Sequence, residues 1–277
     1  MFLVLALLGY AALTIVMAPL VLTRGMWRLR FPRTALLLWH GAFLSGIAAA
    51  LISMVVAVVL AVGVHTAVPD GRTNVLEPTV IVLAAWLALG TVGGLIALVF
   101  ARAEPLFELD REAEASFSEL LGSGFARVEH VGNLTVRYID SSLPVACTTP
   151  GRRPEVIVSS RLEYALTPWE LRAVIEHERA HVRHRHAFAK RLALLNSACL
   201  PTVRGATQFK RSTNLLIELI ADDSAARVCG SDQVAAALAR VAELSGSAGT
   251  AVRSERLLQL PAKRLSAAGR RLLVAGG

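Results

Sequence analysis

The stretch Thr167-Pro168-Trp169-Glu170-Leu171-Arg172-Ala173-Val174-Ile175-Glu176-His177-Glu178-Arg179-Ala180-His181 decides how the rest of the chain is read. Thr167 supplies an N-cap, Pro168 suits the first helical position, and Glu170 stands three residues after the cap, so the spacing predicts a helix that opens with a capping box. Along it His177 and His181 lie four residues apart, about 40° around the axis and roughly 6 Å along it. Both imidazoles therefore leave one face and can hold one metal ion, the HExxH arrangement. Glu178, about 100° away, is set beside them. Such a pattern activates water for attack on a peptide carbonyl: zinc acidifies the water and the carboxylate accepts its proton.

Outward from this helix, the chain must supply a third ligand. The continuation HExxHxxGxxH fails, because His184 occupies the glycine position and Ala187 the third histidine position. His184 reads as a helix-end surface histidine rather than a ligand, and His186 follows it. The run Leu215-Leu216-Ile217-Glu218-Leu219-Ile220-Ala221-Asp222-Asp223 offers a carboxylate inside an apolar helical pattern. An unpaired buried Glu is costly, so Glu218 is the expected third ligand. Asp222, four residues on and on the same face, is expected to accept a hydrogen bond from the free ring nitrogen of a liganding histidine.

Before the HExxH helix, the runs Leu134–Ile139, Val145–Thr148 and Val156–Val158 read as strands of a small sheet, with a turn at Pro150-Gly151. Glu104–Leu121 alternates apolar and acidic residues and reads as an amphipathic helix ended by Gly122 and Gly124. From Arg179 to Arg211 there are eight Lys or Arg and no acid, a surface suited to an anionic leaflet or an acidic substrate segment. The run Leu192–Val203 is too short to span a bilayer and reads as interfacial or core.

The N-terminal third is different in kind. The 277 residues are 54% hydrophobic and 18% charged, with a mean hydropathy of +0.53, which excludes disorder and an ordinary soluble globule. Phe2–Leu22, Thr34 to about Val64, and Val80–Ala101 are each long enough to cross a hydrocarbon core. The first lacks a preceding positive charge, so it is expected to be retained rather than cleaved as a signal peptide. Trp39 and His40 are expected near one membrane boundary.

Arg24, Arg28, Arg30 and Arg33 follow the first span, whereas Asp70, Arg72 and Glu77 flank the Pro69-Asp70-Gly71 turn after the second. The positive-inside bias then puts the N-terminus outside a plasma (inner) membrane crossed three times, and everything after Arg102 in the cytoplasm. The division is a membrane domain over 1–101 and a cytoplasmic domain over 102–277. Cys147, Cys199 and Cys229 form no CxxC pair and read as reduced thiols. The net charge of +8 follows membrane flanks, and no groove-reading motif accompanies it, so direct nucleic-acid binding is not expected.

Taken together, the HExxH helix, the strand Pro154-Glu155-Val156-Ile157-Val158-Ser159, the later ExxAD and three preceding membrane helices resemble the BlaR1/MecR1-like integral-membrane metallopeptidases, peptidase family M56. The resemblance covers the membrane helices and the domain through about Arg227. It implies an α+β, gluzincin-type zinc metallopeptidase domain, with His177, His181 and Glu218 holding Zn2+, Glu178 as catalytic base and Asp222 behind the ligands. It also implies a protein substrate, either a BlaI-like repressor or the chain itself, in signal transduction. Arg179 departs from the family's apolar residue, and no sensor domain is visible after Glu218. An HtpX/Ste24-like quality-control peptidase of family M48 shares HExxH and ExxxD and is the alternative. A signalling scaffold with structural zinc is a third reading, against which the intact Glu178 speaks. An extended peptide is expected to lie along the strand near Val156–Ser159. Tyr164, His130 and several arginines are open choices for stabilising the oxyanion.

Overall fold

Apolar helices too long for a small globular core dominate the first hundred residues, and the computed structural model describes 2–66, 76–123, 125–132, 134–149 and 154–259 of the chain. The Pro69-Asp70-Gly71 turn, Gly124 and the Pro150-Gly151 turn lie outside those residues. The chain divides into two compact units, one of Met1–Leu106 with Ala193–Thr213, the other of Phe107–Leu192 with Asn214–Gly277.

In the first unit, α1 (Phe2–Leu22), the single turn α2 (Trp27–Arg30) and α3 (Pro32–Thr66) precede α4 (Leu76–Ser123). Among the described residues, three helical segments are long and apolar enough to cross a membrane: Phe2–Leu22, Pro32–Leu60 and Val82–Pro105. They expose large apolar side chains, as Leu37, Trp86 and Phe100 illustrate, with the exposed charges Arg33, Arg102 and Glu104 near the segment ends, and a helix satisfies its backbone groups internally, as lipid surroundings demand. Small and hydroxyl residues let α1 and α3 approach closely. Ser53 donates to the Val4 carbonyl at 3.1 Å, Tyr10 donates to Ser45 at 3.0 Å, and a side chain at Gly46 would meet Thr14 at 2.8 Å.

Trp39 is buried, its ring 5.8 Å from that of Phe209, which also meets His40 and Phe43 at 4.9 Å. The stretch 193–213 thus packs within this unit, and Arg102 donates to the Ala198 carbonyl at 2.9 Å. The expected break between a span and an amphipathic helix does not occur. α4 continues through Pro105 and past Gly122, because the change from apolar to acidic composition alters which surroundings suit the helix, not its backbone geometry.

The second unit is built on a four-stranded sheet of β1 (Phe125–Val131), β2 (Leu134–Ile139), β3 (Ala146–Thr148) and β4 (Val156–Ser159), in the order β1-β2-β4-β3. β1 was not expected as a strand; its Arg127, Glu129 and His130 mask the β pattern. β2 pairs antiparallel with β1 and parallel with β4, and β4 pairs antiparallel with β3. All four residues of β4 are buried, as its central position requires, while β2 alternates. With both sides paired, β4 offers no free edge for a peptide, contrary to the expectation for Val156–Ser159. The edge on that side is β3.

After β4, Ser159 caps α5 (Ser160–Ala165) by accepting from the Leu162 amide. α6 (Pro168–Arg183) opens with the expected capping box between Thr167 and Glu170. α7 (His186–Cys199), α8 (Arg204–Cys229), α9 (Ser231–Ser245) and α10 (Ala248–Gln259) follow. Gly230, at φ +94, turns the chain between α8 and α9 in a conformation that side chains disfavour. The core joins Val136, Val156 and Val158 of the sheet to Val174 of α6, Ala225 of α8, Val234 of α9 and Leu257 of α10.

Burial, with the nearby Glu178 charge, pushes the Cys147 thiol up to about 11, and burial with Glu176 does the same to Cys229. Thiols that high carry roughly 100-fold less thiolate near neutral pH than ordinary ones. Both should therefore resist iodoacetamide in native protein at pH 8 and react once denatured, as read by mass spectrometry; rapid native alkylation would contradict the burial assigned to them.

Candidate metal centre

α6 presents His177 and His181 on one face, and α8 presents Glu218 toward them; the side chains are 12%, 13% and 26% exposed. The two Nε2 atoms are 3.0 Å apart, His177 Nε2 is 3.3 Å from Glu218 Oε2, and His181 Nε2 is 3.7 Å from Glu218 Oε1. A tetrahedral ion with donors about 2.0–2.1 Å away spaces them about 3.3 Å apart. The observed triangle brackets that value, so the donor set fits zinc in both chemistry and spacing. Among the described residues, His177, His181 and Glu218 form the one group of this kind.

Behind the triangle the two histidines meet different partners. His177 Nδ1 lies 3.0 Å from Oδ1 of the fully buried Asp222, the expected carboxylate. His181 Nδ1 lies 3.0 Å from Nδ1 of His186. Arg253, from α10, grips Asp222 with two nitrogens at 2.7 and 2.8 Å and reaches Glu218 Oε2 with a third at 3.1 Å. Lys190 adds a contact of 3.2 Å to Glu218 Oε1.

These contacts set the protonation. Burial alone would strip the proton from His177, but Asp222 and Glu218 outweigh it and raise the imidazole to about 9. Burial would likewise keep Glu218 protonated, yet the hydrogen bonds of His177 and His181 and the charge of Arg253 hold it far below the usual carboxylate range. Asp222 is lowered too, with Arg253 and His177 overcoming burial. Burial, reinforced by His181 and His184, pushes His186 down to about 3. Glu218 and Asp222 are thus both held as carboxylates, Glu218 facing the two imidazoles and Asp222 behind His177.

Glu178 stays outside the triangle. Its Oε2 accepts a hydrogen bond of 2.9 Å from the Thr148 hydroxyl on β3, which ties the carboxylate to the sheet edge. Arg179, the departure from an apolar residue, is partly exposed and turns back to the buried Glu176 at 2.7 Å and to the Val131 carbonyl. His184 caps the end of α6 near Ser224 and is not part of the donor group. Of the residues left open for the oxyanion, His130 contacts Thr135 on the sheet and Tyr164 is exposed on α5, whereas Arg253 reaches the donor group. Thr148, His186 and Arg253 carry no local signature in the sequence. Only contacts across the fold identify them.

No curated protein and no solved structure matches the chain. The family comparison corrects the expected resemblance to M56: the model that matches is that of another zinc metallopeptidase family. A BlaI-like repressor as substrate and a role in signal transduction rested on the M56 resemblance and lose their support with it. The matched stretch begins at β2, ends inside α10 and contains His177, Glu178, His181, Glu218 and Asp222. Residues 133–251 of this chain are thus similar to peptidase family M48 and form a peptidase domain that follows helices able to span a membrane.

Proposed function

We propose that the chain is a membrane-anchored zinc endopeptidase of M48 type, HtpX/Ste24-like, acting on protein substrates at the cytoplasmic membrane face. The observation that carries this reading is the triangle of His177, His181 and Glu218, spaced for one tetrahedral ion beside a carboxylate that is not part of it. Zinc, when bound there, supplies Lewis acidity that acidifies water and polarises a peptide carbonyl. The rest is the work of the chain. Glu178 accepts the proton from the attacking water and returns it to the leaving amine, with Thr148 holding one oxygen so that the other is free to act. β3, the sheet edge beside Glu178, takes an extended peptide by main-chain pairing. Asp222 orients His177, and Arg253 holds Asp222 and Glu218 in place. Arg24, Arg28, Arg30 and Arg33 favour the orientation that leaves the peptidase domain inside.

Full-length protein purified in detergent should cleave an unfolded test protein such as casein, lose that activity to a zinc chelator and regain it with added zinc. Glu218→Ala should purify with well under one zinc per chain, measured by atomic emission. A full complement of zinc in that variant would overturn the ligand assignment, and chelator-resistant cleavage would overturn the metallopeptidase reading.

A further inference from the structure

The peptidase reading leaves one buried, chemically capable group unused. His186, the first residue of α7, is 2% exposed. Its ring meets that of His181 edge to face, centroids 4.9 Å apart and planes at 82°. The facing atoms are the two Nδ1 nitrogens, 3.0 Å apart, while His186 Nε2 is buried without a partner among the described residues. The residue just before it, Arg185, sits at φ +51, a left-handed conformation that a non-glycine residue adopts at some cost. The ring also stacks on that of His184, centroids 5.5 Å apart and planes at 25°, so the contact with His181 is its one polar side-chain contact among the described residues, and an unsatisfied buried nitrogen beside it calls for an explanation.

Proton counting supplies one. A neutral imidazole carries one N–H. His181 Nε2 faces the other two candidate ligands, so a lone pair there requires the proton on Nδ1. Two Nδ1 atoms at hydrogen-bond distance can share only one proton, so His186 Nδ1 must then accept, with its own proton on Nε2. We propose that His186 is a positioning residue, an imidazole acceptor that fixes the tautomer and ring orientation of His181, as Asp222 does for His177. This rests on the zinc-site reading above. The two ligand histidines are consequently not equivalent: one is backed by a carboxylate, the other by a neutral ring.

The test compares the full-length wild type with His186→Leu, which removes the acceptor, and His186→Asn, whose amide oxygen replaces it. Zinc affinity is measured by competition with a chromophoric chelator, alongside the visible spectrum of the cobalt-loaded protein. The leucine variant should bind zinc 10- to 100-fold more weakly with an altered cobalt spectrum, the range typical of groups behind a ligand. The asparagine variant should recover most of both. Unchanged affinity in His186→Leu, or no rescue by asparagine, overturns the assignment alone; a wild type that takes up no zinc overturns the zinc-site reading along with it. If the leucine variant fails to fold, nitrogen-resolved NMR of histidine-labelled, zinc-loaded wild type decides: a His186 proton on Nε2 upholds the proposal, and a proton on Nδ1 overturns it.

Discussion

Replacing Glu178 with glutamine should slow peptide cleavage by about 10²–10⁴-fold and leave zinc uptake unchanged. The two halves of this expectation have separate structural origins. On the proposed reading zinc uptake would depend on His177, His181 and Glu218, the group able to hold an ion, and Glu178 is not among these donors. Cleavage depends on a group that can take a proton beside the ion, and Glu178 is the next residue along the helix from His177, with Thr148 holding its Oε2 at 2.9 Å. Glutamine keeps the size of the side chain and can still accept from Thr148, but it cannot serve as a base. Equal zinc content with lost cleavage would support the role given to Glu178. Undiminished cleavage would remove it.

The second large effect lies outside the stretch that matches the family. Arg253→Ala should destabilise the peptidase domain by about 3–5 kcal/mol, because it leaves a buried carboxylate without its main counter-charge. Asp222 is fully buried, and both its oxygens are held by Arg253 at 2.7 and 2.8 Å. His177 compensates in part, which favours the lower end of that range in zinc-free protein. A contrast is available in the same unit: Arg127 pairs with Glu163 at 2.8 Å, but more than half of its side chain is exposed. That pair is worth about 0–1 kcal/mol. Denaturant unfolding of Arg253→Ala and Arg127→Ala side by side should separate them clearly. Equal, small losses would mean that the Arg253 cluster does not hold α10 to α8.

Much of the site was legible because its determinants are local. The capping box of Thr167 and Glu170 fixes where α6 starts, and the four-residue interval from His177 to His181 then fixes which face they share. Glu218 and Asp222 were legible for the same reason, as carboxylates in an apolar helical run. The positions that escaped notice depend on chain crossings. β4 lies between β2 and β3 rather than at an edge, a consequence of its parallel pairing with β2 across an intervening strand. Arg253 meets Asp222 from 31 residues away, and periodicity has no reach over that interval. The family assignment failed for a related reason. HExxH and a following carboxylate meet the demands of the ion, which are common to both families, while the number of membrane helices is independent of the peptidase core.

The brevity of β3, Ala146–Thr148, bears on what this enzyme would attack. On the proposed reading, a rim of three residues would grip a visitor through amide and carbonyl groups that every polypeptide has, and would offer little purchase for reading side chains. Selection would then turn on whether a stretch of backbone is already loose enough to be drawn out straight. Chains that have lost their shape, or never acquired it, meet that condition whatever their composition.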